Sequence, residues 1–307
     1  MRCGLIELGS SGFSLTVDRA DRIDLHRRHR HDLARTVAEQ GALDAEAVMT
    51  ATTHARELLY AARVAGCDRI TVIGTELFRT AANGQEAAAH LARQIEHPVH
   101  VVPAAEQVSL GFRAAASRRS DGGQLAVVSL GGGSLSVAAG RPHARPRHLF
   151  SFDLGVRLLA PRVLEGDRLR TSQRVRLEHH LSGELAPAAR ALESLDSDDV
   201  LVAGGAVQAL ATVIHTARRA QVPDTTDGLR LDSADLGHLI SRLGELPTAS
   251  RLALGGMQAE YAAVLPLAAT IMRQILRSLG IERATVTTAR WSEEAVHELR
   301  QASRRVA

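Results

Sequence analysis

Apolar and polar positions alternate along this chain in short runs separated by longer amphipathic stretches. An apolar run over residues 5–17 breaks at Gly and Ser and then resumes, which predicts a β-hairpin; residues 18–32 predict a turn and a strand rich in His and Arg. Residues 44–65 are Ala-rich with helical periodicity, RITVIGT at 69–75 predicts a buried strand, and GQEAAAHLARQI at 84–95 a helix. VHVVP at 99–103 predicts another strand and 104–116 another helix. The polar stretch 117–123 is the best boundary, and after it the pattern restarts with a strand, a GGG turn and a second strand. A basic segment at 141–148 leads to a further strand and helix, and residues 199–203 run into Gly204, Gly205 and an apolar helix. Residues 250–280 predict two helical segments around a GG step, 284–287 a strand and 291–303 a closing helix. Alternating β and α elements with a repeated hairpin start predict an α/β fold in two units, 1–119 and 120–307.

The two hairpin starts, LIELGSSGF from Leu5 and VVSLGGGSLSV from Val127, lie about 120 residues apart. Each turn offers backbone N–H groups and hydroxyls to an anion, so a phosphate chain gripped between two such hairpins is the expected ligand. One position before each Leu-Gly, where a carboxylate would serve metal or water, stand Glu7 in the first copy and Ser129 in the second.

Composition narrows the chemistry. All 37 basic residues counted as Lys and Arg are Arg, so phosphate must be held by Arg, backbone N–H groups, hydroxyls or metal, and no lysine nucleophile or base exists. The net charge of +3, with 3% aromatic residues, suits a compact polyanion better than duplex nucleic acid. Cys3 and Cys67 read as free thiols in a reducing compartment. Neither a signal peptide nor a membrane span is expected, which makes this a soluble cytoplasmic protein.

In order, LIELGSSGF, VIGTELFRTAANGQE, HVVPAAEQVSLGF, VVSLGGGSLSV, FDLGVRLL and LVAGGAVQAL resemble the exopolyphosphatase/guanosine pentaphosphate phosphohydrolase (Ppx/GppA) family, most closely its short two-domain members. The resemblance implies two ribonuclease-H-like, actin-like domains with a phosphate cleft between them. It also implies hydrolysis of terminal phosphoanhydrides of polyphosphate or pppGpp-like nucleotides with Mg²⁺, and a homodimer. Gly9, Ser10 and Phe13 match the first phosphate hairpin, with Ser11 where Asn is usual and Glu7 where a shorter acid is usual, a metal-binding and catalytic candidate. Thr75, Arg79 and Asn83 match a segment whose Arg contacts phosphate. Gly131, Gly132, Gly133 and Ser134 match the second phosphate hairpin. Gly204 and Gly205 fall where related folds place a nucleotide or distal phosphates.

The departures fall on the acids. Where the family has two consecutive Glu, the second its catalytic base, this chain has Glu106 and Gln107; a metal-site Asp and a further Glu are Ser129 and Ser136; and a C-terminal Arg-Glu-Gly step is Ser292, Glu293 and Glu294. Gln107 can orient a water but cannot take its proton. Glu106 is equally a solvated helix carboxylate, Arg79 and Asn83 equally a surface Arg and a helix cap, and the GGG run equally a flexible turn. His29 and His31 lack partners at zinc spacing and read as a basic edge strand. Two function classes therefore stand: a phosphohydrolase, and a catalytically inactive sensor that binds polyphosphate or (p)ppGpp. A phosphotransferase is weaker because no acceptor site is identifiable.

Overall fold

The computed structural model describes residues 2–19, 22–119, 123–193 and 200–304. The expected turn at 20–21, the middle of the expected break at 120–122 and Asp199 lie outside the described residues. The chain forms two compact units, one of Met1–Ala114 with Arg290–Ala307 and the other of Ala115–Ala289. The closing segment thus joins the first unit, unlike the contiguous halves 1–119 and 120–307 expected from the sequence. The reason lies in what its helix covers.

In the first unit β1 (Cys3–Gly9), β2 (Gly12–Arg19) and β3 (Arg22–Arg30) form an antiparallel meander, followed by α1 (Leu33–Gln40) and α2 (Ala45–Val64). β4 (Arg69–Gly74), α3 (Glu76–Thr80), α4 (Gly84–Ile95), β5 (Val99–Val101) and α5 (Ala104–Ala116) complete the sheet, whose order is β3-β2-β1-β4-β5 with β4 parallel to β1. One sheet face is apolar. Ile6, Leu8, Phe13, Leu15 and Val17 are fully buried in a cluster that includes Ala51, Ala55 and Leu58 of α2 and Leu91 of α4. The residues between them turn to the other face, where Cys3 and Leu5 are followed by Glu7 on β1, and Ser14, Thr16 and Asp18 line β2.

That second face needs a cover able to meet polar groups, and the last helix of the chain (Trp291–Arg304) supplies it. Ala295 and Val296 bury Cys3 and Leu5. The Trp291 Nε1–H donates to Glu7 Oε1 at 3.1 Å, the Thr16 hydroxyl donates to Ser292 Oγ at 3.5 Å, and buried Arg300 pairs with buried Asp18 at 3.2 Å. These contacts hold the C-terminal helix to the first unit.

The second unit repeats the meander as β6 (Leu125–Leu130), β7 (Leu135–Gly140) and β8 (His148–Phe152), followed by α6 (Val156–Val163), α7 (Thr171–Leu192), β9 (Val200–Ala203) and α8 (Gly205–Arg219). It continues through β10 (Arg230–Asp232), α9 (Ser233–Leu243), α10 (Thr248–Leu252), α11 (Ala259–Ala262), α12 (Leu265–Ser278) and β11 (Arg283–Val286), and the C-terminal helix is therefore α13. Sheet order is β10-β11-β9-β6-β7-β8. Both units continue an antiparallel meander with parallel strands, the ribonuclease-H-like arrangement, and the second adds β10 antiparallel at its far edge. Residues 250–280 hold more breaks than the two helices expected, because α10 ends before Gly256, at φ 78°, and α12 starts afresh with Pro266 in its first turn. Fully buried Arg251 stabilises these short pieces by donating to the carbonyls of Leu243, Ala262, Ala263 and Asp167. Among the described residues no helix is long and apolar enough to cross a membrane.

Removing one partner of the Asp18–Arg300 pair strands a buried charge. Arg300→Leu is expected to destabilise the first unit by about 3–5 kcal/mol, and Asp18→Leu added to it to recover much of that loss. Urea unfolding followed by the fluorescence of Trp291, the chain's one tryptophan, measures both.

Candidate phosphate-binding turns

The first turn follows from register. Gly9 pairs with Gly12, leaving Ser10 and Ser11 as the two turn residues, and Glu7 lies directly opposite Ser14. Ser14 in turn lies opposite Arg28 on β3, so Glu7, Ser14 and Arg28 form one row across three strands. The half-buried Glu7 carboxylate accepts from Trp291 through Oε1 and from the Ser14 hydroxyl through Oε2 at 3.5 Å. Burial pushes its carboxyl above the ordinary glutamate range, against the opposing pull of Arg28, the Trp291 and Ser14 hydrogen bonds and Arg290.

Arg28 Nη2 donates to Ser11 Oγ at 2.7 Å, a contact that the basic-strand reading of this segment did not anticipate. The alternation of β3 explains it. Arg28 and Arg30 share the face of Ser14 and Gly12, whereas His29 and His31 share that of Phe13 and Leu15. There His29 pairs with Glu57 at 3.3 Å and stacks on His54, while His31 meets Phe13 edge-on. No group of three or more His, Cys, Asp or Glu among the described residues is arranged to hold a metal ion.

Thr75 follows β4, and its hydroxyl donates to the carbonyl of Leu8 at 3.2 Å, beside Gly9. The next residue, Glu76, is buried and accepts from the Ser10 hydroxyl; no motif in the sequence singled it out. Arg79 Nη1 donates to the Val102 carbonyl at 2.8 Å and Nη2 to Gln107 Oε1 at 3.0 Å, so two of the expected site residues are in direct contact. Glu106, one residue round the helix from Gln107, is exposed.

Asn83 bonds to the backbone of another segment. Its amide donates to the Leu43 carbonyl at 2.8 Å and accepts from the Leu43 N–H at 2.9 Å, tying the start of α4 to the segment before α2. Its side chain makes no cap hydrogen bond to α4. It lines a cavity of about 810 Å³ between α2 and α4, which none of the turn residues lines. Glu294 belongs to another contact: it and Glu298 face Arg113 of α5, at 3.9 and 2.5 Å.

The second turn has the same register with different side chains. The Gly131 N–H donates to the Ser134 carbonyl at 2.9 Å, leaving Gly132 and Gly133 as the turn, and Ser129 lies opposite Ser136 just as Glu7 lies opposite Ser14. The carbonyls of Gly131, Gly132 and Gly133 accept from the N–H groups of Gly155, Val156, Arg157 and Leu158, capping the start of α6. Across a trans peptide the N–H points opposite to the C=O, so the N–H groups of Gly132, Gly133 and Ser134 face away from α6. Gly155 permits this approach, since a Cβ there would fall 2.1 Å from the Gly133 carbonyl carbon.

Gly204, at φ 118°, sits against the end of β6; a Cβ would lie 2.1 Å from the Leu130 carbonyl oxygen. The Tyr261 hydroxyl occupies the space where a Gly205 side chain would begin. The structure therefore brings Gly204 and Gly205 up to the second turn, with half-buried Tyr261 at the start of α8.

The donor set around Glu7 fits Mg²⁺ in one respect. A hard cation that keeps several waters and is shared with phosphate oxygens needs only one or two carboxylates, and Glu7 is one.

The sequence profile described as the Ppx/GppA phosphatase family matches residues 21–298. A guanosine-5'-triphosphate,3'-diphosphate pyrophosphatase of Vibrio cholerae is 25% identical over 302 residues, covering 96% of this chain and 59% of that protein. The chain thus spans about three-fifths of that relative's length. An uncharacterized protein of Streptomyces coelicolor is 26% identical over 291 residues, covering 92% of this chain and 85% of its own. An exopolyphosphatase structure from Cytophaga hutchinsonii superposes with a TM-score of 0.87 at 19% identity, over 98% of each chain, a likeness of fold.

Two outcomes follow. Because the folded-state pKa of Glu7 is raised, its ionisation costs stability above that pKa and costs nothing below the unfolded value near 4.3. Glu7→Gln, which keeps an acceptor for Trp291, is expected to raise Tm by a few degrees at pH 7.5, with the gain vanishing as the pH falls below about 4. Gly155→Ala is expected to cost at least about 2 kcal/mol in urea unfolding, because the second turn must move.

Proposed function

This chain belongs to the Ppx/GppA phosphatase family, and we propose that it hydrolyses the terminal phosphoanhydride of inorganic polyphosphate or of a pppGpp-like guanosine nucleotide. The observation that carries the reading is the second turn, whose three carbonyls are taken up by the start of α6; its N–H groups then point away from α6 and form an anion nest. The first turn supports it with Ser11 and Arg28, and Arg79 supplies a further cation. Free Cys3 and Cys67 support a reducing cytoplasm as its compartment. Family membership supports a homodimer.

In-line displacement by water needs donors on the transferring phosphoryl, an oriented water and a proton acceptor. Arg79 and the Ser11 hydroxyl provide donors in the first unit, and the N–H nest provides them in the second. Glu7 is the carboxylate that would hold Mg²⁺, which supplies positive charge to the phosphoryl oxygens when bound. Gln107, whose carbonyl oxygen accepts from Arg79, keeps its NH₂ as a donor and orients rather than deprotonates.

A second reading, a binder without turnover, is favoured by that same contact. The acceptor end of Gln107 is occupied, and Ser129 and Ser136 bring no carboxylate to the second turn.

Orthophosphate release from polyphosphate and pppGpp, measured with Mg²⁺ on purified protein, separates the two. Turnover is expected, lowered by about 100-fold or more in Arg79→Ala and raised by about 10-fold in Gln107→Glu, which restores a base beside Arg79. Binding of both substrates with no release in any variant establishes the binder instead.

A further inference from the structure

The two serines of the first turn are neighbours in sequence and opposite in chemistry. Ser11 Oγ accepts from Arg28, so the Ser11 proton stays available to an anion. The Ser10 hydroxyl donates to Glu76 Oε2, and an ionised carboxylate only accepts, so the one proton of Ser10 is committed. Toward anything bound at the turn, Ser10 offers lone pairs. That repels a phosphate oxygen and suits a water molecule.

Glu76 is an expensive residue at this place. It is 5% exposed, directly behind an anion-binding turn, with Ser10 itself 7% exposed. Its other oxygen accepts from the Thr80 hydroxyl at 2.8 Å, and among the described residues no Arg or His pairs with it. Two hydroxyls thus satisfy a buried carboxylate that repels the ligand its neighbours attract. If the carboxylate served only to hold the turn, a neutral side chain of the same shape would serve without the repulsion.

We propose that Glu76 is the proton acceptor of the phosphohydrolase reaction, acting as a positioning and relay residue through the Ser10 hydroxyl. The proposal rests on the phosphohydrolase reading and names the group that Gln107 cannot be. The water oxygen forms its bond to the terminal phosphorus as the bridging P–O bond breaks, its electron pair leaving with the shortened phosphate chain. The water proton passes to Ser10 Oγ while the Ser10 proton passes to Glu76, so charge and protons balance without another reactant.

The test is steady-state orthophosphate release against pH for the wild type, Glu76→Gln, Ser10→Ala and the double variant, with Tm recorded for each. Glutamine keeps an acceptor for Ser10 and a polar partner for Thr80, so Glu76→Gln is expected to fold. Each single variant is expected to lose about 100-fold or more in kcat while KM moves by less than about threefold. Glu76→Gln should also lose the acid limb of the kcat profile, and the double variant should be no slower than the slower single one. A Glu76→Gln enzyme with wild-type kcat and an unchanged acid limb overturns the relay. So does a raised KM at unchanged kcat, the result a structural or binding role would give. If Glu76→Gln does not fold, the kcat and KM of Ser10→Ala decide by the same split. A wild type that binds inorganic tripolyphosphate and releases no phosphate overturns the hydrolase reading and the relay together; wild-type turnover that survives Glu76→Gln overturns the relay alone.

Discussion

A carboxylate held half-buried at the end of a strand organises the first unit. Glu7 occupies the sheet face that also carries Ser14, Thr16 and Asp18, a polar row that an apolar helix could not cover. The last helix of the chain covers it with Trp291, Ser292 and Arg300, each set against one member of that face. This is why the segment from Arg290 returns to the first unit. Burial keeps Glu7 above the usual glutamate range, so its ionisation costs stability that only a cationic or hydrogen-bonding ligand would recover.

The two turns show how one backbone plan supports different chemistry. In both, a two-residue turn closes an antiparallel pair, and the residues two positions before and after the closing pair face each other: Glu7 with Ser14, and Ser129 with Ser136. The first turn works through side chains, with a guanidinium on Ser11 and a carboxylate on Ser10. The second works through the main chain, because its carbonyls are consumed by α6. Ser129 and Ser136 bring no carboxylate to the second turn, and the carbonyl arrangement there does not involve their side chains.

Much of the architecture was legible because its signals are local. The hairpins, the helices Gly84–Ile95 and Ala104–Ala116 and the strand at β4 follow from apolar period and Gly breaks, and the order of motifs identified the family. Contacts far apart in sequence were not legible. Glu76 reads as an ordinary first-turn acid until Ser10, 66 residues away, is placed against it. Arg28 reads as one charge in a basic run until strand pairing puts it beside Ser14 and across from Ser11. Asn83 carried the family position yet spends its amide on Leu43. Trp291 reads only as the first residue of a closing helix until it is seen to reach Glu7 across 284 residues.

That last contact makes the chain's one tryptophan a reporter of its candidate site. Titration of Trp291 fluorescence with inorganic tripolyphosphate, with and without Mg²⁺, tests whether the Glu7 row is where phosphate and metal meet. A saturable change that needs both ligands and disappears in Glu7→Gln is the predicted result. Tripolyphosphate binding, established independently by calorimetry, that leaves the Trp291 emission unchanged with Mg²⁺ present would contradict it.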